Sequence, residues 1–580
     1  MKPTDIKDPE YFHRVIDCQF ACPAHTRVPE YIRLIAEKRF NEAYEINWDS
    51  NVFPGILGRI CDRPCEPACR RGRVEPKPVA ICRLKRVCAD NKDLDLKQLS
   101  RKAKEKNGKR VALIGGGPAS LTVARDLLPL GYEVDLYDDQ AAAGGFVRSQ
   151  VPSFRLPERV LNEEVNTILD MGVTTHLNTY VKSLKAFLSK GHDAVFIGTG
   201  APRGRDLDLP GRNQGNASIH VGIDWLAAVQ YVHIKTAGPT TLVIGGGNTA
   251  MDCCRTARRL GGENVKVIIR GARDKMKASP WEVEDAVRED IPILEYLSPN
   301  SFVVEAGKLT GMCFENLAEG ADKEEVVIPC DEVLLAVGQE NAFPFIEEDI
   351  GIVFDDRGRP GVDRVTFQSG LDHVFFGGDA AFGPANVITA VAHGHEAALS
   401  IDLFLNGKDP GERPRPKTAL AGQKMGPHEW IYHSQVSDTE RQEVPMQPRI
   451  KSIKDRLLEV ELGFDQEIGH KEAHRCLNCD VQTVFTVEEC IECDACVDVC
   501  PTSCINFLEN GDEADVRSRL TIPAKNTTQF LYVSDPLPTG RVMVKDEDVC
   551  LHCGLCAERC PTAAWDMKKY TFITAKAGQQ

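Results

Sequence analysis

No run of about 18 apolar residues occurs anywhere in the 580-residue chain, so no membrane-spanning helix is expected. The opening MKPTDIKDPEYF has neither an apolar stretch nor a small-residue cleavage site, so no signal peptide is expected. Basic residues are in deficit: 70 Lys and Arg stand against 85 Asp and Glu, for a net charge of −15. A nucleic-acid footprint would be basic, and an anionic membrane surface would repel this chain. No Ser–His–Asp set and no motif for a metal-bound water is present, so no side chain is assigned as a catalytic acid, base or nucleophile. His233 and Trp281 read as packing or surface residues. The remaining composition, 42% hydrophobic and 27% charged, is that of an ordinary globular protein of several structural units.

Cysteine is abundant, with 22 residues concentrated near the two ends in C-x-x-C and C-x-x-x-C spacings. In a chain without a secretion signal, such spacings favour metal or iron–sulfur ligation over disulfides. The expected compartment is a reducing cytoplasm.

The most specific signals are CIECDACVDVCP at 490–501 and CLHCGLCAERCP at 550–561. Both have the C-x₂-C-x₂-C-x₃-C-P spacing of bacterial ferredoxins, in which three close thiolates hold one cluster and the fourth reaches its neighbour. One cluster is therefore expected on Cys490, Cys493, Cys496 and Cys560, the other on Cys550, Cys553, Cys556 and Cys500. Cys504 reads as packing. The long stretch between the motifs predicts an inserted hairpin.

Two further stretches share a different grammar. VALIGGGPASLTVARDLL (111–128) predicts a strand, a Gly turn at Gly115 and Gly117, and a helix. Glycines there let the backbone approach a pyrophosphate seated on the helix N-terminus. Ser120 stands where a third glycine is common and is still small. The next strand, EVDLYDD, ends at Asp138, about 20 residues on, where an acid accepts from a ribose hydroxyl. GGDAAFGPANVITAVAHG (377–394) places Asp379 after Gly378 and aims a helix from about Asn386 at the same site, which suggests FAD. AVFIGTGA (194–201) reads as a strand and turn between nucleotide domains.

TLVIGGGNTAMDCCRTARRLG (241–261) repeats the grammar with Gly245, Gly247 and Ala250. After its second strand come Arg270 and Arg273 instead of an acid, which suits a 2′-phosphate and hence NADPH. The Arg270–Gly271 pair leaves NAD and NADP both open. Cys253 and Cys254 on the helix read as buried small hydrophobes. Ala119, Gly145, Arg155, Gly200, Asn248 and Gly338 complete the expected cofactor set.

Together these motifs resemble the two-dinucleotide flavoproteins. VPSFRLP (151–157) resembles the small subunit of glutamate synthase and the matching half of dihydropyrimidine dehydrogenase. The resemblance extends over roughly residues 1–480. It implies a helical N-terminal domain that binds iron–sulfur clusters through Cys18, Cys22, Cys61, Cys65 and Cys69. That family opens on a C-x-x-C pair ahead of the counterparts of Cys18 and Cys22, and here no cysteine precedes Cys18. HRCLNCD (474–480) resembles the missing pair, displaced beyond the flavin domains. The resemblance thus implies one cluster on Cys18, Cys69, Cys476 and Cys479, with the return segment docked on the N-terminal domain. The other would take Cys22, Cys61, Cys65 and a fourth group, which in relatives is Glu or Gln. Lys85 falls in that region but offers no lone pair while charged. Cys82, one helical turn earlier, is the expected substitute, with Cys88 its rival.

The expected fold is multidomain α/β: a helical bis-[4Fe–4S] domain at 1–105, a discontinuous FAD domain at 106–235 and 335–410, an NAD(P) domain at 236–334, a Pro- and Gly-rich surface connector within 411–482, and an α+β ferredoxin domain at 483–580. The expected cofactors are FAD and four [4Fe–4S] clusters, with NAD or NADP as substrate. The expected function is an electron-transfer subunit for a larger oxidoreductase, such as a 2-oxoacid:acceptor enzyme. The alternatives are the small subunit of a glutamate synthase and a stand-alone NAD(P)H:ferredoxin oxidoreductase.

Overall fold

The computed structural model describes residues 2–579 apart from 100–102, 104, 321–323, 426–437 and 510–511. It divides into two compact units. One comprises Met1–Asp95, Arg413–Val444 and Gly463–Gln580; the other comprises Leu96–Glu412 and Pro445–Leu462.

The second unit is built on two five-stranded parallel sheets. In the first, Val374–Phe376, Ala194–Ile197, Arg110–Ile114, Glu133–Tyr137 and Thr174–His176 lie side by side. In the other, the order is Ile219–Val221, Glu332–Leu335, Thr240–Ile244, Asn264–Ile268 and Ile293–Leu294. The central strands are continuous apolar runs because helices or loops cover both faces, as parallel sheets require. Val111, Ala112 and Leu113 are fully buried, as are Leu242 and Val243. A three-stranded antiparallel sheet, Leu297–Glu305, Lys308–Asn316 and Glu325–Pro329, packs Phe302, Met312 and Phe314 against the second parallel sheet.

The first unit begins as short helices. Val28–Ala36 buries Tyr31, Ile32 and Ile35 on one face, and Ile81–Asn91 buries Leu84, Val87 and Cys88. Chain from the far end completes it. Strand Trp565–Ile573 is flanked by Val481–Phe485 and by Lys417–Met425, all antiparallel. The connector is therefore not wholly irregular. Thr418 pairs with Phe572 and Ala421 with Lys569, so KTALA is an edge strand hidden among charge and proline. Residues 426–437 of the connector lie outside the described residues, and Pro445–Leu462 belongs to the nucleotide unit. Between the ferredoxin motifs, Tyr532–Val533 and Val542–Lys545 form a hairpin, and a helix that was not expected, Glu513–Ser518, precedes it.

The N-terminal helices and the ferredoxin strands share one core. His13 stacks on Phe572 at 3.9 Å, its Nε2 lies 3.0 Å from His25 Nδ1, and Gln19 donates to the Phe572 carbonyl at 3.1 Å. Burial, then His25, lowers the His13 pKa to about 3. The unfolded chain takes up this proton near pH 6.5, whereas the folded chain excludes it down to about pH 3. Stability is therefore full above about pH 6.5 and declines as pH falls through that window, by at most about 1.4 kcal/mol per pH unit. His13→Gln is expected to flatten this acid limb, measured as denaturant midpoint against pH.

Candidate functional site

The strand Arg110–Ile114 runs into Gly115, whose φ is +94° and where a Cβ would lie 2.7 Å from the Gly198 carbonyl oxygen. Only glycine fits there. Helix Pro118–Leu127 follows, with Ala119 and Ser120 buried in its first turn. The Asp138 carboxylate accepts from Gly116 N–H at 2.5 Å and from Gln140 N–H at 2.8 Å, while burial raises its pKa. Gly144 N–H donates to the Gly116 carbonyl at 2.8 Å and sets Gly145 beside the turn. A Cβ at Gly117 would meet only the Gly198 oxygen at 3.8 Å, which leaves an open backbone cradle. Thr199 Oγ1, between Gly198 and Gly200, is buried without a hydrogen-bond partner among the described residues. Gly378 packs against Ala119, and Asp379, lifted to about 6 by burial, accepts from Ala385 N–H at 3.0 Å. Helix Val387–Leu405 is capped by Asn386, which accepts from Thr389 N–H. A Gly cradle, an acid and an orphaned hydroxyl fit a dinucleotide.

The second turn repeats this geometry. Gly245 has φ +139°, and a Cβ there would lie 2.2 Å from the Ala336 oxygen. Gly247 faces open space, and helix Asn248–Arg259 buries Ala250, Cys253 and Cys254. Asn248 Oδ1 accepts from Ser279 N–H at 2.8 Å, and the Gly246 carbonyl accepts from Lys277 and Ala278, so the loop 270–279 closes over the turn. Arg270, Arg273, Lys275 and Lys277 are exposed along that loop. Gly338 lies beyond strand Glu332–Leu335, where its carbonyl accepts from Arg205 N–H.

Arg155 is placed differently from the other expected cofactor residues. Its guanidinium bridges Asp252, at 2.7 Å, and Glu282, at 2.5 Å, within a buried network that includes Arg255, Glu289 and Arg259. Phe154 beside it lies under the Arg255 and Arg259 guanidinium groups. The VPSFRLP segment thus fastens the first nucleotide fold to the helix of the second.

In the other unit, Cys18, Cys69, Cys476 and Cys479 line one cavity. Burial and then the Cys479, Cys69 and Cys476 thiols push the Cys18 pKa far up, and burial takes Cys476 to about 12. The return segment is held there by polar contacts. Arg33 donates to Asp480 and to Asn478 Oδ1, and His470 Nδ1 lies 3.0 Å from the Ala36 carbonyl. Glu472 accepts from Ala80 N–H at 2.7 Å and from Arg475 at 2.6 Å; burial raises this carboxyl to about 7. Cys22, Cys61, Cys65 and Cys82 surround Lys85, whose charge is opposed by burial but held by these thiols, Cys82 foremost. Cys61 and Cys65 both hydrogen-bond to Cys82. Cys88 instead donates to the Lys85 carbonyl at 3.0 Å.

In the ferredoxin region, burial, then Cys560 and Cys493, raise Cys490, and Cys496 reaches about 11 through burial beside Cys490 and Cys560. Cys553, also about 11, is raised by burial, then by Cys550 and Cys500. Cys560 is thus close enough to Cys490 and Cys496, and Cys500 to Cys553, to be felt electrostatically. Cys556 is raised by burial beside Cys550 and Cys553. Cys504 is buried; its Sγ lies 3.5 Å from Cys500 Sγ and it hydrogen-bonds to Cys550. All 22 cysteines are free. Converging soft thiols of this number and spacing fit iron–sulfur clusters.

Residues 109–394 match the pyridine nucleotide-disulphide oxidoreductase family model. Residues 13–95 match that of dihydropyrimidine dehydrogenase domain II, 4Fe–4S cluster, and 489–564 match a 4Fe–4S dicluster domain. The NADP(+)-dependent formate dehydrogenase subunit beta of Moorella thermoacetica is 33% identical over 80% of this chain and 70% of its own. The NADPH-Fe(3+) oxidoreductase subunit beta of Geobacter sulfurreducens is 30% identical over 82% of this chain and 77% of its own. The glutamate synthase [NADPH] small chain of Azospirillum brasilense is 32% identical over 67% of this chain and 86% of its own. The chain belongs to the glutamate synthase small subunit-like family of flavin and iron–sulfur oxidoreductases. It is an FAD-dependent NAD(P)H oxidoreductase with iron–sulfur domains at both ends. Among its described residues no helix is long and apolar enough to cross a membrane.

Several residues of this oxidoreductase escape a reading by motif. Asp17, Arg70 and Arg71 line the Cys18 cavity, and Glu66 holds Cys82 N–H at 3.1 Å while pairing with Arg441. Arg70, Arg71 and Glu66 adjoin Cys65 or Cys69 in sequence, which was the available signal. Arg475 likewise adjoins Cys476, whereas Lys545 and Glu547 carry no such mark; only their full burial distinguishes them.

Proposed function

We propose that this chain is the electron-transfer subunit of a larger redox complex, working with NADP(H), FAD and four [4Fe–4S] clusters. The observation that supports the reading is that Cys18 and Cys69 line one cavity with Cys476 and Cys479, far away in sequence. The proposed ligand sets are Cys18, Cys69, Cys476 and Cys479; Cys22, Cys61, Cys65 and Cys82; Cys490, Cys493, Cys496 and Cys560; and Cys550, Cys553, Cys556 and Cys500. Bound FAD supplies the conversion between hydride pairs and the single electrons that clusters carry. The protein's part is positional. Gly115 and Gly117 hold the FAD pyrophosphate on the helix from Pro118, with Asp138 on the ribose and Asp379 at the second helix. Gly245, Gly247 and Asn248 hold the nicotinamide nucleotide. Arg270 and Arg273 take its 2′-phosphate, supported by Lys275 and Lys277.

The names of all three relatives contain NADP or NADPH, which favours that coenzyme. Two are named as beta subunits and one as a small chain, which supports a larger catalytic partner, such as a formate-, glutamate- or 2-oxoacid-handling subunit. Free thiols at every cysteine suit a reducing cytoplasm.

Arg270→Ala is the test of the coenzyme. The affinity for NADPH is expected to fall at least tenfold, with that for NADH changed less than twofold, measured by anaerobic flavin reduction under each nucleotide. Equal losses would remove the NADP assignment. Copurification with a catalytic subunit tests the partner; an isolated chain that reduces free ferredoxin at full rate would replace it with the stand-alone reading.

A further inference from the structure

The two ferredoxin thiol sets are not equivalent in their surroundings. The segment after Cys69, Arg70–Arg73, packs against the segment that leads into Cys550. Arg70 pairs with Asp17 at 2.8 Å and donates to the carbonyls of Val15, Glu547 and Cys550, the last at 2.9 Å; its Nη1 lies 2.7 Å from His552 Nε2. The same guanidinium lines the Cys18–Cys69–Cys476–Cys479 cavity. Arg73 adds an ion pair to Asp548 at 2.7 Å. Lys545 pairs with Glu547 at 2.8 Å and donates to Thr483 at 2.6 Å; Arg70, Lys545, Glu547 and His552 are all at most 2% exposed. Cys550 thus lies in a buried, cation-bearing seam against the N-terminal domain, with Cys500, Cys553 and Cys556 half-buried beside it. The Cys490 set is the more open one: Cys496 is buried, but Cys493 is exposed, Ile491 is 62% exposed, and Glu488, Glu489 and Asp498 lie at the surface.

We propose that Arg70 makes the Cys550 set the inner relay of the ferredoxin region, joined to the Cys18–Cys69–Cys476–Cys479 set, and that the Cys490 set is the outer terminal. This rests on the ligand sets proposed above. Each step moves one electron. With clusters bound, the Cys550 set would hold the one that passes an electron between the N-terminal set and the Cys490 set, and the Cys490 set would hold the one that exchanges it with a one-electron iron–sulfur acceptor on the partner. The reverse sequence balances equally. No bond or proton moves. Arg70 is a positioning residue: its guanidinium bridges the wall of one site and the carbonyl of a ligand cysteine of the other, and its fixed charge favours the reduced state at both.

The test is rapid-freeze EPR of the full holoprotein after mixing with NADPH, alongside iron counts and redox titration. Arg70→Gln is compared with the parent in preparations matched for iron and flavin content. Arrival of electrons at the ferredoxin signals should slow at least tenfold, with a lower midpoint for the inner signal and partial recovery in Arg70→Lys. Unchanged arrival and midpoint in Arg70→Gln would overturn the role of Arg70. Cys493→Ala is expected to remove about a quarter of the iron yet leave the inner signal reducible by NADPH. If the remaining ferredoxin signal then responds to dithionite but not to NADPH, the order is reversed and the proposal fails. If Cys493→Ala loses both ferredoxin clusters, the Arg70 pair decides alone. A parent with well under about sixteen irons would mean that the ligand reading, not the order, is wrong.

Discussion

Cys18→Ala and Cys476→Ala are expected to abolish the same iron–sulfur signal. Each should lower the iron count from about sixteen to about twelve per chain, and the double variant should lose no more than either alone. The two positions lie at opposite ends of the sequence, but their thiols line one cavity with Cys69 and Cys479. A cluster that loses one of four protein thiolates keeps an iron with no strong ligand in a buried site, where water is a poor substitute. The loss should therefore be large and specific. Cys88→Ala is the control: its thiol bonds to the Lys85 carbonyl, and its removal should leave the iron unchanged within error. Cys82→Ala should instead remove a different cluster, because Cys82 contacts Cys61 and Cys65. Low-temperature EPR of the reduced proteins separates these outcomes. If Cys476→Ala and Cys18→Ala extinguish different signals, the return segment does not complete the N-terminal site.

Much of this architecture was legible because its chemistry is local. Gly-rich turns between strand and helix, and thiols at fixed short spacing, write their geometry into a few consecutive residues. The displaced pair Cys476–Cys479 was legible only by resemblance, since nothing near it in the sequence completes a site. What stayed hidden is held by long-range polar burial. The strand at Lys417–Met425 lies in a segment whose prolines and charges signal a loop, and pairing with Trp565–Ile573 overrides that local signal. Glu472, at the end of helix Gln466–Ala473, and Arg475, just beyond it, are fully buried and bond to backbone at Ala80, Lys77 and Pro78. Arg70 is similar. Buried charges of this kind need partners from elsewhere in the chain, and those partners do not follow from spacing.

Arg155→Ala is expected to destabilise the nucleotide-binding unit by about 3–5 kcal/mol while changing NADPH affinity less than twofold in the folded fraction. The family resemblance put Arg155 among cofactor residues. In the structure its guanidinium is committed to Asp252 and Glu282, both more than nine-tenths buried. Removing it leaves two carboxylates in a low-dielectric site beside Asp285 and Glu289, with Arg255 and Arg259 already shared among them. Burial already holds Asp252 at about 6 with Arg155 in place, and loss of this neighbour should raise it further. A carboxyl whose folded pKa is raised stabilises the fold at low pH and loses that contribution as pH rises through its folded value. The Arg155→Ala protein should therefore recover part of its deficit when measured near pH 5 instead of pH 8. Arg155→Ala/Asp252→Ala should be less destabilised than the sum of the two single variants, because the double change removes the orphaned charge with its partner. Urea unfolding monitored by flavin release gives the stability, and nucleotide titration of the folded protein gives the affinity. A large loss of NADPH affinity with unchanged stability would return Arg155 to the cofactor.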